Sequence, residues 1–224
     1  WKNMGLRKSE HISEIIVHPD NSDVVWVAAQ GPLWTSGGER GLYKTTNGGT
    51  SWKRVLGNDQ WTGVTDIMID PRNPQILYAA TWDRHRTVAA LMGGGPGTAL
   101  YRSDDGGENW TKLTEGLPES NMGKIGITIS PQNPDVVYAA IELDRKSGAV
   151  YRSSNRGASW TKMSDTVSGG TGPHYYQELY ASPHEFDRLY LMNVRVLTSG
   201  DGGKTFVQLK ERDKHSDNHA IVFK

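Results

Sequence analysis

The chain has 224 residues, enough for one or two domains with a hydrophobic core. Its 25 basic and 25 acidic residues balance, so the charge does not indicate a nucleic-acid partner. It has no cysteine and no apolar run near the roughly 20 residues of a membrane span, which excludes a disulfide scaffold, a thiolate metal site, a cysteine nucleophile and a membrane-spanning helix.

Glycine and tryptophan are frequent, with 26 Gly and 8 Trp against only 3 Phe. Frequent glycine indicates many turns, and turns at short intervals are typical of folds built from short strands. The composition therefore favours an all-β fold.

One eight-residue segment recurs four times without gaps, at 45–52, 103–110, 153–160 and 199–206, and we call the copies boxes 1 to 4. The third residue of each box can accept hydrogen bonds from the amides of its own turn, and the glycines that follow permit positive φ. The terminal aromatic ring can pack between neighbouring sheets. We assign structural roles to the third and last residues of the boxes: Asn47, Trp52, Asp105, Trp110, Asn155, Trp160, Asp201 and Phe206.

A second repeat alternates with the boxes. Segments 69–80 and 129–140 share two β-branched runs joined by Pro and Asn, and segments 17–29 and 181–191 follow the pattern more loosely. Pro and Asn between such runs predict a turn that joins two strands. The four strands predicted in the first unit are Ile12–Val17, Val24–Ala29, Gly41–Thr45 and Trp52–Leu56.

Four strands in about every 50 residues are typical of a β-propeller blade. A sheet with two apolar faces cannot bury both alone, and stacking around an axis covers them. We predict an all-β propeller of four-stranded antiparallel blades, of which this chain forms an incomplete arc. The predicted segments are 1–9 (last strand of a preceding blade), blades at 10–57, 61–116, 122–165 and 173–210, and 215–224 (first strand of a following blade).

The boxes resemble the Ser-x-Asp-x-Gly-x-Thr-Trp pattern of the Asp-box (BNR) repeat, which occurs in sialidases, xyloglucan-degrading glycoside hydrolases and sortilin-type receptors. Residues 41–44, 82–87 and 215–220 are also similar to large bacterial sortilin-like or glycosyl-hydrolase BNR proteins. The resemblance implies a secreted, periplasmic or cell-surface protein whose remaining blades come from the same full-length chain or from another chain. It implies no single function, because enzymes and non-enzymes share the repeat.

In a propeller, function is expected on the face formed by the loops that enter the first strand of each blade and join its second and third strands. The boxes lie on the opposite face. Near the start of the first strands, one repeat position holds Glu14, Asp66, Gly126 and Glu178, and the next holds an Ile or Leu, such as Ile15, that we expect in the core. The three carboxylates would form an acidic rim around the channel, or each would pair with an arginine or a backbone amide.

The loops between second and third strands hold the other candidates. Alternating aromatic and guanidinium groups can bind a sugar or a carboxylate by stacking and bidentate hydrogen bonds. The same groups can instead latch a long loop onto the neighbouring blade, and the sequence favours neither interpretation. The candidates are Trp34 in the first loop, Trp82, Asp83, Arg84, His85 and Arg86 in the second, and Glu142, Asp144 and Arg145 in the third.

The last candidates lie near the fourth blade. His174, Tyr175 and Tyr176, together with Glu178, form a polar-aromatic cluster suited to lining a cleft. Alternating residues share one face of a strand, so the His-x-Asp-x-His run at 215–219 presents possible zinc ligands. No fourth ligand is evident, and we predict neither a metal nor a cofactor.

Two functions are open. We favour a non-catalytic propeller module that binds a glycan or a peptide, or serves as a scaffold, within a larger secreted bacterial protein. The alternative is a glycoside hydrolase, whose two carboxylates stand about 5–5.5 Å apart for retention or about 6.5–9.5 Å apart for inversion. Carboxylates facing an open cleft beside Trp34 or Trp82 would favour the hydrolase, and carboxylates already paired would favour the binding module. The carboxylate candidates are Asp66, Asp83, Glu142 and Glu178.

Overall fold

The computed structural model describes residues 1–57, 59–144, 146–169 and 174–224, and these form strands, turns and loops but no helix. The chain divides into two compact units, Trp1–Lys112 and Leu113–Lys224. Arg145 and the first residue of the fourth predicted blade, Pro173, lie outside the described residues.

Eleven strands belong to the first unit, with β11 at its end. They are β1 (Ile12–His18), β2 (Asn21–Ala29), β3 (Gly41–Thr45), β4 (Lys53–Leu56), β5 (Thr62–Ile69), β6 (Leu77–Asp83), β7 (His85–Arg86), β8 (Leu91–Met92), β9 (Gly94–Gly95), β10 (Leu100–Ser103) and β11 (Thr111–Leu113). Sheet 1 has the order β1-β2-β3-β4 and sheet 2 the order β11-β10-β6-β5. The strands predicted for the first blade are confirmed to within a few residues.

The second unit repeats this arrangement. Its strands are β12 (Met122–Gly123), β13 (Ile125–Ile129), β14 (Val137–Asp144), β15 (Ser147–Ser153), β16 (Thr161–Ser164), β17 (Leu179–Ala181), β18 (Leu189–Leu191), β19 (Leu197–Ser199) and β20 (Val207–Gln208). Sheet 3 has the order β13-β14-β15-β16 and sheet 4 the order β17-β18-β19-β20. The strand pairs of both sheets are antiparallel, as short connections between sequential strands permit.

Each unit buries its apolar residues between two sheets. In the first unit, Trp26 and Leu42 of sheet 1 pack with Ile67 and Leu77 of sheet 2, and Trp110 of box 2 packs against this cluster. In the second unit, the cluster joins residues of sheets 3 and 4, and Phe206 of box 4 packs against it. The expectation that the terminal aromatic residue of a box packs between sheets is confirmed for boxes 2 and 4.

Every box is closed by the hydroxyl group of its first residue. In box 2, Ser103 Oγ accepts a hydrogen bond from the Gly107 backbone N–H (2.9 Å) and donates one to Asp105 Oδ1 (2.8 Å). Asp105 Oδ1 also accepts from the Asn109 backbone N–H (2.9 Å). Boxes 1, 3 and 4 make the same three bonds at the corresponding residues. These hydrogen bonds to its side chain explain the structural role assigned to the third box residue.

A further bond ties each box to the start of the second strand of its own sheet. The backbone N–H of the fourth box residue donates to the carbonyl oxygen of Asp23, Gln75, Asp135 or Asp187 at 2.9–3.0 Å. This box residue has a positive φ in all four copies, and it is glycine except in box 3, where it is Arg156 (φ 59°). Arg156 also forms an ion pair with Asp135 (2.7 Å), the same residue that accepts its amide.

Three predictions differ from the structure, two about the terminal segments and one about Ile15. Neither 1–9 nor 215–224 forms a strand, because each segment makes isolated hydrogen bonds rather than a ladder. Trp52 Nε1 of box 1 donates to the Met4 carbonyl oxygen (2.8 Å), and the Asp217 backbone N–H donates to the Val194 carbonyl oxygen (2.7 Å). Ile15 is 59% exposed, because its neighbour Ile16 faces the core between sheets 1 and 2 and alternation turns Ile15 the other way.

The first prediction concerns the closing hydroxyl. Ser103→Ala leaves the buried Gly107 amide without its acceptor, so we expect the free energy of unfolding to fall by about 1–3 kcal/mol in urea denaturation. Ser103→Thr is the matched control, because Thr45 makes the same bonds in box 1. Equal stability of the alanine and threonine variants would contradict the assignment.

The second prediction concerns acid stability. Hydrogen bonds from the Thr205 side chain and backbone and from Ser199 lower the pKa of Asp201 to about 2 from its ordinary 3.8. The unfolded chain therefore binds more protons between about pH 4 and pH 2, and the stability that Asp201 contributes is lost as the pH falls through that window. Asp201→Asn should flatten the pH dependence of the unfolding free energy there, measured by urea titrations at several pH values.

Box 3 allows the opposite substitution, from asparagine to aspartate at its third residue. Asn155 Nδ2 donates to Ser159 Oγ (2.9 Å), whereas Thr205 Oγ1 donates to Asp201 Oδ2 in box 4 (2.6 Å). A hydroxyl group can donate or accept, so Asn155→Asp should fold and steepen the same pH dependence. An unchanged slope in both variants would contradict this account of acid stability.

Candidate functional site

Arg40 organises the loop between β2 and β3. Its side chain is 2% exposed, and its guanidinium donates to the backbone carbonyl oxygens of Gln30 (2.7 Å), Thr35 (3.0 Å), Arg84 (3.3 Å) and Pro32. A buried cation is tolerated when it donates to several acceptors, and here the two terminal nitrogens donate to carbonyl groups of two loops. Arg40 therefore fixes the first loop and joins it to the second.

The start of the second loop is held against the first. Arg84 Nη1 donates to Gln30 Oε1 (2.8 Å), and the Arg84 guanidinium lies over the Trp82 ring (4.7 Å). Trp82 is 1% exposed, and its Nε1 donates to the Gly93 carbonyl oxygen (2.9 Å). Trp82 and Arg84, which we considered as ligand-binding residues, thus form a latch. The indole is buried because it fills the space under its own loop.

We call four side chains of this region the aromatic platform: Trp34 of the first loop, His85 and Arg86 of the second, and Trp61, which directly precedes β5. The Arg86 guanidinium lies over the ring of Trp34 (5.4 Å), which is 58% exposed. The rings of Trp61 and His85 are 4.1 Å apart, and Arg40 approaches Trp61 from the interior (6.0 Å). Three of these four residues were predicted from the sequence, and Trp61 was not.

Two aspartates lie close to the platform. Burial is the largest reason that the pKa of Asp83 is raised, and the negative charge of Asp59 adds to it. Burial acts in the same direction on Asp59, but hydrogen bonds from the Thr62 side chain and from the Trp61 and Thr62 backbone N–H groups lower its pKa. One carboxyl group thus favours its neutral form more than the other does. Asp59 was not predicted, although the entrance to a first strand was named as part of the functional face.

Asp59 also lines an open cleft of about 640 Å³ in the first unit. The cleft lies beside β4 and extends to box 2, where Glu108 is neutralised by Lys44 (2.8 Å) and Lys53 (2.7 Å). Its other lining residues are Arg54, Val55, Leu56, Gly57, Thr62, Thr81, Gly97, Tyr101, Asn109 and Trp110.

The carboxylates of the repeat position lie on or directly before the first strands of their sheets. Glu14 is half-buried on β1, and Asp66 is 7% exposed on β5, each engaged in a polar or electrostatic interaction. In the second unit, Glu178 forms an ion pair with Lys124 (2.5 Å). Glu178 is therefore paired, but with a lysine rather than with the arginine or backbone amide that we expected.

Glu142 is held by the same lysine residue. Glu142 is 5% exposed, and its Oε2 accepts a hydrogen bond from the Lys124 backbone N–H (3.0 Å). A burial of this depth keeps the carboxylate from an open cleft. These contacts favour structural roles for Glu142 and Glu178, two of the four carboxylate candidates for hydrolysis.

The tyrosines of the second unit differ from each other. Tyr176 is 3% exposed, and its hydroxyl donates to Asp217 Oδ1 (2.5 Å) while its ring stacks on His219 (5.2 Å). It was considered a ligand-binding residue, but it anchors the C-terminal segment instead. Tyr175 is 52% exposed and lies against His174 (4.5 Å), so it stays accessible. In the described part of the chain, no group of three or more His, Asp or Glu side chains is arranged to hold a metal ion.

Solved structures with similar coordinates are β-propellers. A GH74 xyloglucanase from Xanthomonas campestris matches with a TM-score of 0.65 and 15% identity, over 86% of this chain and 28% of that chain. An ancestral GH74 enzyme matches with a TM-score of 0.62 and 19% identity, over 92% and 26%. YCF48 bound to D1 peptide matches with a TM-score of 0.52 and 14% identity, over 94% and 56%.

These likenesses define the fold: the chain is a β-propeller protein built from four-stranded antiparallel blades. It spans little more than a quarter of the length of the two GH74 enzymes. No protein-family model and no curated protein sequence matches it. The described residues include no helix of the length and hydropathy that a bilayer crossing requires.

The third prediction tests the loop organiser. Arg40→Met leaves several buried carbonyl groups without a donor, so we expect a loss of about 2–3 kcal/mol in the free energy of unfolding. Arg40→Lys keeps the charge but cannot span carbonyl groups on two sides, so its loss should be smaller but measurable. Urea denaturation followed by tryptophan fluorescence reports both values. A methionine variant as stable as the parent would show that Arg40 does not organise the loops.

Proposed function

We propose that this chain is a non-catalytic binding part of a propeller protein, and that its ligand, a glycan or a peptide, binds at the aromatic platform. The observation that carries the proposal is the exposed Trp34 ring with Arg86 stacked on it, beside the Trp61–His85 pair. Exposed aromatic rings with a polar neighbour are typical of sites that combine stacking with a hydrogen bond.

The loops that carry these side chains are held rigidly, which supports the proposal. The Arg86 backbone N–H donates to the Leu33 carbonyl oxygen (2.8 Å), so the two loops meet at the platform. Arg40 holds the carbonyl groups of residues 32 and 35 on either side of Trp34. A site that needs no rearrangement loses less entropy on binding.

The wider assignment extends the same proposal. We assign the boxes to the Asp-box (BNR) repeat and the chain to a larger, secreted bacterial protein of sortilin-like type. Related folds accommodate both ligand classes, since one similar structure is a xyloglucanase and another holds a bound peptide. A shared fold does not transfer an activity, so the argument depends on the platform.

A glycoside hydrolase is the second candidate, favoured by one observation. Asp83 and Asp59 lie in one region, near the platform, and their pKa values are shifted in opposite directions. Paired carboxyl groups of this kind supply the acid and the base in glycosidases. Against this candidate, both aspartates are held by backbone amides, of Gly97 for Asp83 and of Trp61 and Thr62 for Asp59.

The fourth prediction tests the platform. The ligands to test are xyloglucan oligosaccharides, β-glucan oligosaccharides, sialosides and peptides. Trp34→Ala should weaken the binding of whichever of them binds by about tenfold, measured by isothermal titration calorimetry. Trp1→Ala is the matched control, because Trp1 is fully exposed and outside the platform. Ligand binding that both variants retain in full would place the site elsewhere.

An assay of hydrolysis decides between the binding function and the hydrolase. The binding proposal predicts no release of reducing sugar from xyloglucan, β-glucans or sialosides. Turnover that disappears in Asp83→Asn and persists in Glu178→Gln would instead establish the hydrolase.

A further inference from the structure

Arg86 differs from the other arginines of the platform region in what its guanidinium contacts. Arg40 is enclosed by carbonyl groups, and Arg84 donates to Gln30. Arg86 is exposed and lies over Trp34, and no carboxylate of the described residues forms an ion pair with it. Its guanidinium therefore combines exposure to solvent with a cation–π contact to an indole.

Stacking and backbone bonding orient this guanidinium. Residues 85–86 pair with residues 91–92 in a short hairpin, and the Arg86 backbone N–H is held by Leu33, next to Trp34. A guanidinium held over an aromatic ring keeps N–H groups at its own rim, in its own plane, and these can bind a carboxylate through two parallel hydrogen bonds. A lysine in the same place could act only as a point charge.

The charges around the platform permit an anionic ligand. Arg40, Arg84 and Arg86 supply three positive charges, and Asp59, Asp83 and Glu10, which all act on Arg40, supply at most three negative ones. The aspartates lie within electrostatic reach of Arg40, and His85 lies within reach of Asp83. Arg86 has no such partner, so a ligand carboxylate meets an uncompensated cation.

The exposed indole selects the rest of the ligand. A pyranose ring presents a flat C–H surface that packs on an aromatic face, with substituents at its rim. The carboxylate of a peptide side chain has no ring attached to it that could cover Trp34. Resting on the proposed binding function, we infer that the platform binds a glycan containing uronic acid, with its carboxylate on Arg86 and its sugar ring against the part of the Trp34 indole that Arg86 leaves exposed.

The fifth prediction uses two probes that share one sugar chain and differ in charge: trigalacturonate and its methyl ester. By isothermal titration calorimetry, the protein should bind the acid about tenfold more tightly than the ester, with the difference shrinking as salt is raised. Arg86→Gln should remove the preference, because it weakens binding of the acid far more than binding of the ester. Arg86→Lys should keep part of the preference, and Trp34→Ala should weaken both ligands.

The outcomes separate this inference from the proposed function. Neutral glycans bound through Trp34 with no preference for the acid would overturn the inference and leave the binding function standing. Binding of a Glu-rich peptide through Arg86, with no binding of the uronide, would overturn the assignment to a sugar. If neither a glycan nor a peptide binds, both proposals are wrong. Circular dichroism of Arg86→Gln confirms that its loss of preference is not a loss of folding.

Discussion

The hydrogen bond from a buried glycine amide to the hydroxyl group of the first box residue is the interaction on which the rest of the structure depends. It closes the hairpin between the third and fourth strands in all four sheets at 2.8–3.0 Å. The third box residue then accepts the remaining amides of the turn, and the fourth is bonded to the second strand. Side chains thus replace the solvent that a tight turn would otherwise need.

The loop ends of the sheets in the first unit are held in a different way. There the loops are long, and no repeated motif closes them; a single buried guanidinium collects carbonyl groups from two of them. Stable hairpins at one end and an organised pair of loops at the other allow an exposed tryptophan and arginine to keep a defined spacing. The proposed binding function depends on this spacing, because a site that needs no rearrangement loses less entropy on binding.

The fold was predictable because its determinants are local in sequence. Ser, Asp or Asn, Gly and an aromatic residue within eight positions specify a hairpin, and alternation specifies which residues of a strand are buried. The strands of the first blade follow from these rules alone. The terminal segments could not be predicted in this way, since a strand forms only where a hydrogen-bonding neighbour is present.

The site was predictable only in part, for the same physical reason. Trp34, His85 and Arg86 were identified because aromatic and cationic residues cluster within loops of the expected face. Trp82 and Tyr176 belong to the same residue types, yet they are buried, because the packing of a long loop depends on contacts distant in sequence. Arg40, Asp59 and Trp61 were missed because each acquires its role from a second loop that the sequence does not place beside it.

Amide hydrogen exchange of the four closing glycines, Gly49, Gly107, Gly157 and Gly203, tests the central claim most directly. The account predicts that these amides exchange as slowly as the strand amides of their own sheets, and that Ser153→Ala accelerates Gly157 more than the other three. Exchange at the rate of exposed loop amides in the parent protein, with the sheets intact, would contradict it.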